Sequence, residues 1–130
     1  MITVVVAAAV IERGDRFLLT RRQRGVHLAG CWEFPGGKCE PGETRAACLV
    51  REIREELGVE AAVGNELLAT TYAYADRRVE LHFLRCTVDE TPAPQFGQEM
   101  RWVAREELAT LELPPADAEL IRMLVGVKQD

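Results

Sequence analysis

The sequence predicts an α/β or α+β fold with helices packed on a mixed sheet. Three observations carry this. Apolar and β-branched runs dominate residues 4–22 and 70–103. An amphipathic segment with start and stop signals interrupts them at 44–58. A second helical pattern closes the chain at 115–126. The 130 residues are the size of one domain, and residues 1–130 are read as one.

VVVAAAVI at 4–11 is padded with alanine and rich in valine, the pattern of a strand covered on both faces. ERGD supplies a turn, and RFLLTRR at 16–22 is the returning strand of a hairpin. CWEFPGG at 31–37 is a short apolar stretch stopped by Pro-Gly-Gly. Thr44 is a suitable N-cap and Gly58 a suitable C-terminal stop. Between them Ala46, Val50, Ile53 and Leu57 form one apolar stripe. TTYAYADRRVELHFLRCTV at 70–88 reads as two strands around an Ala-Asp-Arg turn, and RWV at 101–103 as another. Residues 104–111 and 115–126 are helical, with Pro114-Pro115 pre-setting the last helix.

Composition excludes some functions. Acidic residues outnumber Lys and Arg by 21 to 16, for a net charge of −5, which argues against a nucleic-acid partner. No run approaches the ~18 apolar residues of a membrane span. The apolar start has no basic n-region, so it reads as a strand and the expected location is cytoplasmic. Cys31, Cys39, Cys48 and Cys86 have neither CxxC nor zinc spacing and read as reduced thiols. The two histidines carry little: His27 is an outside candidate in a loop, and His82 is a strand residue.

The informative stretch is REIREELG at 51–58. Helical spacing puts Glu52, Glu55 and Glu56 on one face. In open water such like-charge pairs cost a few tenths of a kcal/mol, and a solvated face with Arg51 and Arg54 as partners is a sufficient reading. Brought to about 4 Å in a cleft, each pair costs on the order of 4 kcal/mol at an effective dielectric of ~20, and a divalent cation is then needed. The Gly- and Pro-rich loop FPGGKCEPGET leads into this helix, and its backbone can approach a ligand closely. Carboxylate-rich oxygen sites suit Mg²⁺ with substrate phosphates. Glu43 stands at the junction of loop and helix, where Arg51 can pair with it and brace the loop.

GKCEPGETRAACLVREIREELGV at 37–59 resembles the Nudix box at every fixed position: Gly37, Glu43, Arg51, Glu52, an aliphatic Ile53, Glu55, Glu56, Gly58 and an aliphatic Val59. A chance match at one start point is on the order of one in a billion or rarer. LLTRR, WEFPGGK, ADRR and LPPAD extend the resemblance to MutT-like members over nearly the whole chain. It implies an α/β/α sandwich around a mixed sheet, and a Mg²⁺- or Mn²⁺-dependent enzyme. The reaction it implies takes a nucleoside triphosphate and water to a nucleoside monophosphate and pyrophosphate, with attack at the β-phosphorus. By the same resemblance Glu52, Glu55 and Glu56 ligate metal with help from the Gly37 carbonyl. Glu43 and Arg51 hold the loop. A nearby glutamate can accept the proton of the attacking water, and Glu52 or Glu55 is the expected one. Phosphoryl substitution needs charge neutralisation and alignment, which suits such a site.

One departure stands out. MutT-like chains usually carry a further glutamate where this chain has Phe96, in PQFGQEMRWV. Glu99 is a candidate replacement, and also a plain surface glutamate.

For the substrate, Arg22, Phe34, Tyr74 and Arg77 match contact positions, though each also suits a surface or core role. Asp117 replaces the asparagine of the oxidised-guanine enzymes. Asparagine donates and accepts, whereas ionised aspartate only accepts, which suits the amino group of cytosine. Asp117 also suits an N-cap. The leading expectation is removal of modified nucleotides such as 8-oxo-dGTP, with CTP or 5-methyl-dCTP as the alternative. A non-catalytic nucleotide sensor is the lesser reading, because such modules tend to lose box residues that are all present here. ADP-ribose and RNA-cap hydrolysis fit the sequence less well. A monomer or homodimer is expected.

Overall fold

A computed structural model describes residues 2–23 and 29–126. His27 lies outside the described residues. Chain order is β1 (Ile2–Arg13), β2 (Arg16–Arg21), β3 (Trp32–Glu33), β4 (Gly36–Lys38), α1 (Arg45–Leu57), β5 (Ala61–Ala73), β6 (Arg77–Val88), β7 (Met100–Ala104), a 3₁₀ turn (Arg105–Thr110), a short 3₁₀ turn (Pro115–Asp117) and α2 (Ala118–Val125).

β1 organises the sheet, whose main order is β3-β2-β1-β6-β5, with β4 also on β1 and β7 on β2. It runs parallel to β6 over ten residue pairs and antiparallel to β2 and β4, so the sheet is mixed. Its hairpin with β2 turns on Gly14 and Asp15, both at positive φ (58° and 63°), as a two-residue turn between right-twisted strands requires. The alanines of β1 sit at 0–5% exposure because both faces are covered. Ala7, Ala9 and Ile11 meet α1 residues Cys48, Leu49, Ile53 and Leu57. Ala8 and Val10 point the other way, toward Leu108, Leu120 and Leu124. Each fully buried valine, leucine or isoleucine here contributes roughly 1.5–3 kcal/mol. The result is the α/β/α sandwich that the sequence implies.

Several elements differ from their sequence reading. The buried stripe of α1 is Cys48, Leu49, Ile53 and Leu57. Ala46 is exposed and Val50 only half-buried, because the first turn overhangs the sheet and Cys48 with Leu49 covers β1 instead. Gly36 and Gly37 do not end a strand but form one, β4. An added Cβ on Gly36 would lie 2.0 Å from the Ala7 carbonyl oxygen, so only glycine fits against β1 here. β5 starts at Ala61 rather than at 70. Its first half carries two register shifts, one over Gly64 and Asn65 and one over Leu67.

Candidate active site

α1 is fixed at both ends. The Thr44 hydroxyl oxygen accepts the Ala47 amide at 3.0 Å, a cap worth about 1 kcal/mol. Gly58 closes the helix at φ 69°, its amide donating to the Arg54 carbonyl at 3.0 Å. The segment at 93–98 then folds back over this end. The Ala93 amide donates to the Leu57 carbonyl at 3.0 Å, and the Gln95 amide to that of Glu56 at 2.9 Å. Gln98 Nε2 adds a bond to the Glu56 carbonyl at 3.2 Å. Glu56 therefore projects from a clamped backbone.

Arg51 and Glu43 pair where the loop meets α1. Arg51 donates through Nε to Glu43 Oε2 at 2.8 Å and through Nη2 to Glu43 Oε1 at 2.9 Å. Nη2 also reaches the Lys38 carbonyl at 3.0 Å. Glu43 Oε1 accepts the Glu40 amide at 2.9 Å. The Arg51 contact, then the backbone bond, lowers the Glu43 carboxyl to about 2, and Glu43 holds the guanidinium firmly charged. The other edge of Arg51 faces the box carboxylates, with Nη1 at 2.8 Å from Glu52 Oε1 and 3.4 Å from Glu55 Oε2. Arg54 does not join them but pairs outward with Glu60.

Glu52 and Glu56 form the inner side of the cluster, while Glu55 is exposed. A Cβ on Gly37 would come within 2.5 Å of the Glu52 carboxylate, so the bare Gly37 backbone lies directly against it. Glu56 Oε2 is sealed from solvent with no hydrogen-bond partner. Burial, then the charge of Glu52, then that of Glu33, pushes the Glu56 carboxyl up to about 9. Among the described residues no three acidic, histidine or cysteine side chains already surround one point as a metal cage. The donor set nonetheless fits a hard divalent cation: all-oxygen donors, one buried carboxylate oxygen without a partner, and a backbone with no side chain in the way.

Beside the cluster lies a cavity of about 230 Å³. Gly36, Gly37 and Lys38 line its loop side, and Arg22, Phe34, Tyr74, Arg77 and Asp117 line the rest. All five substrate residues proposed from sequence thus meet in one space. Phe34 is also core, packed edge-on against Phe83 at 6.0 Å between centroids. Tyr74 stacks obliquely on Tyr72 at 4.9 Å, and its amide closes the β5–β6 turn on the Arg77 carbonyl at 2.7 Å. The Nε of Arg77 is sealed from solvent without a hydrogen-bond partner. Asp117 is 5% exposed, and its side chain caps no helix amide, which removes the N-cap reading. The helix is instead preceded by the 3₁₀ turn, which puts Asp117 already in helical conformation. Burial, then Glu33, raises its carboxyl to about 7, against the pull of Arg22.

The structure also places residues that the sequence reading passed over. Glu33 is bound to Arg22 Nη1 at 2.8 Å, and both residues line this cavity and a second one of about 190 Å³ that contains Glu56, Phe96 and Gln98. Burial raises the Glu33 carboxyl. A charged residue between Trp32 and Phe34 in so apolar a strand was the available signal. Glu99 is not brought to the cluster. It is exposed and pairs with Arg21 at 3.1 Å, while Phe96 stands 60% exposed at the rim of the second cavity. His82 is a buried strand residue, its ring nitrogens 2.7 Å from Glu66 and 3.1 Å from Glu80.

A mixed-sheet sandwich with a carboxylate helix, a braced glycine loop and an adjoining cavity defines a nucleotide-hydrolase architecture. The chain belongs to the NUDIX family: residues 6–123 match the NUDIX domain. It is a MutT-like Nudix hydrolase, and hydrolases of this family generally use divalent metal ions. It is 37% identical to the CTP pyrophosphohydrolase of Escherichia coli over 95% of this chain and 92% of that one. It is 36% identical to a putative 8-oxo-dGTP diphosphatase 2 of Mycobacterium tuberculosis, over 100% and 96% of the two chains. Among solved structures, that of the E. coli ORF135 protein superposes with a TM-score of 0.83 at 37% identity, covering 97% of this chain and 91% of that one. No helix among the described residues is long and apolar enough to cross a membrane.

Proposed function

We infer that this chain is a Mg²⁺- or Mn²⁺-dependent nucleoside triphosphate pyrophosphohydrolase that removes oxidised or modified nucleotides such as 8-oxo-dGTP. The observation that carries this reading is the junction of the two sites. The cavity holding Phe34, Tyr74, Arg77 and Asp117 ends on Gly36, Gly37 and Lys38, the loop that leads into the carboxylate helix. A base in that cavity directs its phosphates toward Glu52 and Glu56.

The residues divide the work. Phe34 and Tyr74 offer aromatic walls to a base. Asp117 addresses the base edge, and Arg22 with Arg77 supplies cationic donors. Glu52, Glu55, Glu56 and the Gly37 carbonyl hold the metal, which when bound neutralises phosphate charge and acidifies water. Glu43 and Arg51 keep the loop in register with α1. Glu52 or Glu55 accepts the proton of the attacking water. The net charge of −5 supports action on free nucleotides rather than nucleic acid, and a cytoplasmic setting fits that substrate.

CTP or 5-methyl-dCTP is the second reading, and Asp117 favours it. Ionised, this buried side chain only accepts hydrogen bonds, as the cytosine amino group requires. The similarity to an enzyme named CTP pyrophosphohydrolase points the same way.

The test is pyrophosphate release with Mg²⁺ from 8-oxo-dGTP, dGTP, CTP and 5-methyl-dCTP, compared as kcat/KM. A clear preference for 8-oxo-dGTP is expected. A clear preference for a pyrimidine would move the assignment to the second reading. Orthophosphate as the only product would remove both.

A further inference from the structure

β5 closes one side of the sheet. Its one strand neighbour is β6, and among the described residues no strand lies beyond it. Its two halves differ. The first, through Leu67, holds Gly64, Asn65, Glu66 and both register shifts. The second, 68–73, reads Leu-Ala-Thr-Thr-Tyr-Ala, with no charge, proline or glycine, and pairs with β6 in unbroken register. Ala69, Thr71, Tyr72 and Ala73 are exposed. Among the described residues, no backbone hydrogen bond outside the sheet's own strand pairs reaches 68–73. In an antiparallel pair every second residue turns its N–H and C=O away from the neighbour, so this edge presents a row of backbone donors and acceptors to solvent. Strand edges are ordinarily blunted by brevity, charge or a bulge. β3 and β7, which pair only with β2, have such features: β3 is two residues long, and β7 carries an exposed Arg101. The second half of β5 has none of them.

We propose that residues 68–73 are a homodimer interface, at which two copies of this chain pair their β5 edges antiparallel about a two-fold axis at Thr70. An uncharged edge offers a charged segment nothing to select. Its occupant is therefore an uncharged strand, and the chain itself carries one. The axis sets Leu68 against Tyr72 and Ala69 against Thr71, each twice, with Thr70 facing its own copy. An aliphatic side chain opposite an aromatic one is a favourable cross-strand pair. The pairing also covers Tyr72, which is 37% exposed in the single copy. Glu66 falls opposite Tyr74 and meets no like charge. Because the contact matches itself, it closes at two copies and does not grow into a fibre. Six residues of strand make a small interface, so the dimer is weak and depends on concentration. Each copy carries a net charge of −5 while the contact carries none, so salt screens the repulsion and strengthens the dimer. This interface goes beyond the functional reading above and does not depend on it.

The experiment is sedimentation velocity on the full chain without nucleotide, from about 5 to about 500 µM, the range in which a small interface saturates. A shift from monomer to dimer is expected, and more dimer as NaCl rises from about 0.05 to about 0.5 M. Two double variants at the exposed positions 69 and 71 test the register. Ala69→Lys with Thr71→Lys sets like charges opposite each other twice and should weaken the dimer about tenfold. Ala69→Glu with Thr71→Lys sets opposite charges there and should strengthen it about threefold or more. Four results would overturn the proposal: a wild type that sediments as a monomer throughout, oligomers larger than two, a dimer that salt loosens, or two double variants that associate alike. Hydrolysis is not read in this experiment, so none of these results bears on the functional reading.

Discussion

Arg51 grips Glu43 along one edge of its guanidinium, at 2.8 and 2.9 Å, and presents the other edge to Glu52 at 2.8 Å. One side chain thus braces the loop and sets the position of a proposed metal ligand. Lysine cannot reproduce a two-pronged bond in one direction and a donor in another. Arg51→Lys should lower kcat/KM by about tenfold or more with little change in melting temperature. Amide exchange of residues 38–43 should quicken. Unchanged exchange with lowered activity would show that Arg51 acts on substrate and not through the loop.

Glu52 and Glu56 differ in burial but share one proposed task. Glu52→Gln and Glu56→Gln keep shape and remove charge. Each should cut kcat by about a hundredfold or more, the scale of losing a catalytic carboxylate, and weaken Mn²⁺ binding. The apo Glu56→Gln protein should be no less stable, because Glu56 Oε2 has no partner to lose and its carboxyl resists ionising, whereas Glu52→Gln gives up its charged bond with Arg51. Wild-type turnover in either variant would remove that glutamate from the mechanism.

The adjacent glycines should separate folding from function. A methyl on Gly36 meets the Ala7 carbonyl oxygen at 2.0 Å and the Ala8 Cα at 2.8 Å, both backbone. Gly36→Ala should destabilise the fold by about 3 kcal/mol. The three atoms nearest a methyl on Gly37 all belong to the end of the Glu52 side chain, which can swing away. Gly37→Ala should melt nearly like the wild type yet bind Mn²⁺ poorly. Equal stability losses in thermal denaturation would contradict this division.

Asp117 makes both stability and base choice depend on pH. Its carboxyl is raised from 3.8 to about 7. The folded chain therefore binds this proton more tightly than the unfolded chain. Stability falls as pH rises between about 4 and 7, by at most about 1.4 kcal/mol per unit, and is level above that range. Asp117→Asn removes the slope and should be the more stable protein at pH 8. Below pH 7 the protonated carboxyl donates and accepts as asparagine does, so the ratio of 8-oxo-dGTP to CTP hydrolysis should rise. Above pH 7 it should fall. Asp117→Asn should favour oxidised guanine at every pH, and an invariant ratio would deny Asp117 any part in base choice.

Sequence signals were most legible where one local rule acts alone. Thr44 and Gly58 bound α1 because capping and positive φ are decided within a turn. The pairing of Glu43 with Arg51 followed from helix geometry, and Phe34, Tyr74, Arg77 and Asp117 were assigned by resemblance. What sequence left open depends on long-range contact. The strand character of Gly36 and Gly37 exists only because β1 lies against them. Asp117 is buried, lines a cavity shared with β1 and β6 residues, and caps no amide of its own helix. Glu33 was hidden because its role comes from Arg22, eleven residues away. The outward turn of Glu99 to Arg21 likewise needed the packing of β7 on β2 to be seen.

The most direct test is a crystal structure with Mn²⁺ and a non-hydrolysable nucleoside triphosphate analogue. Mn²⁺ should be bound by Glu52, Glu56 and the Gly37 carbonyl, with the base between Phe34 and Asp117 and its phosphates over the loop. Metal bound elsewhere with Glu52 still on Arg51, or a base outside that cavity, would contradict the assignment.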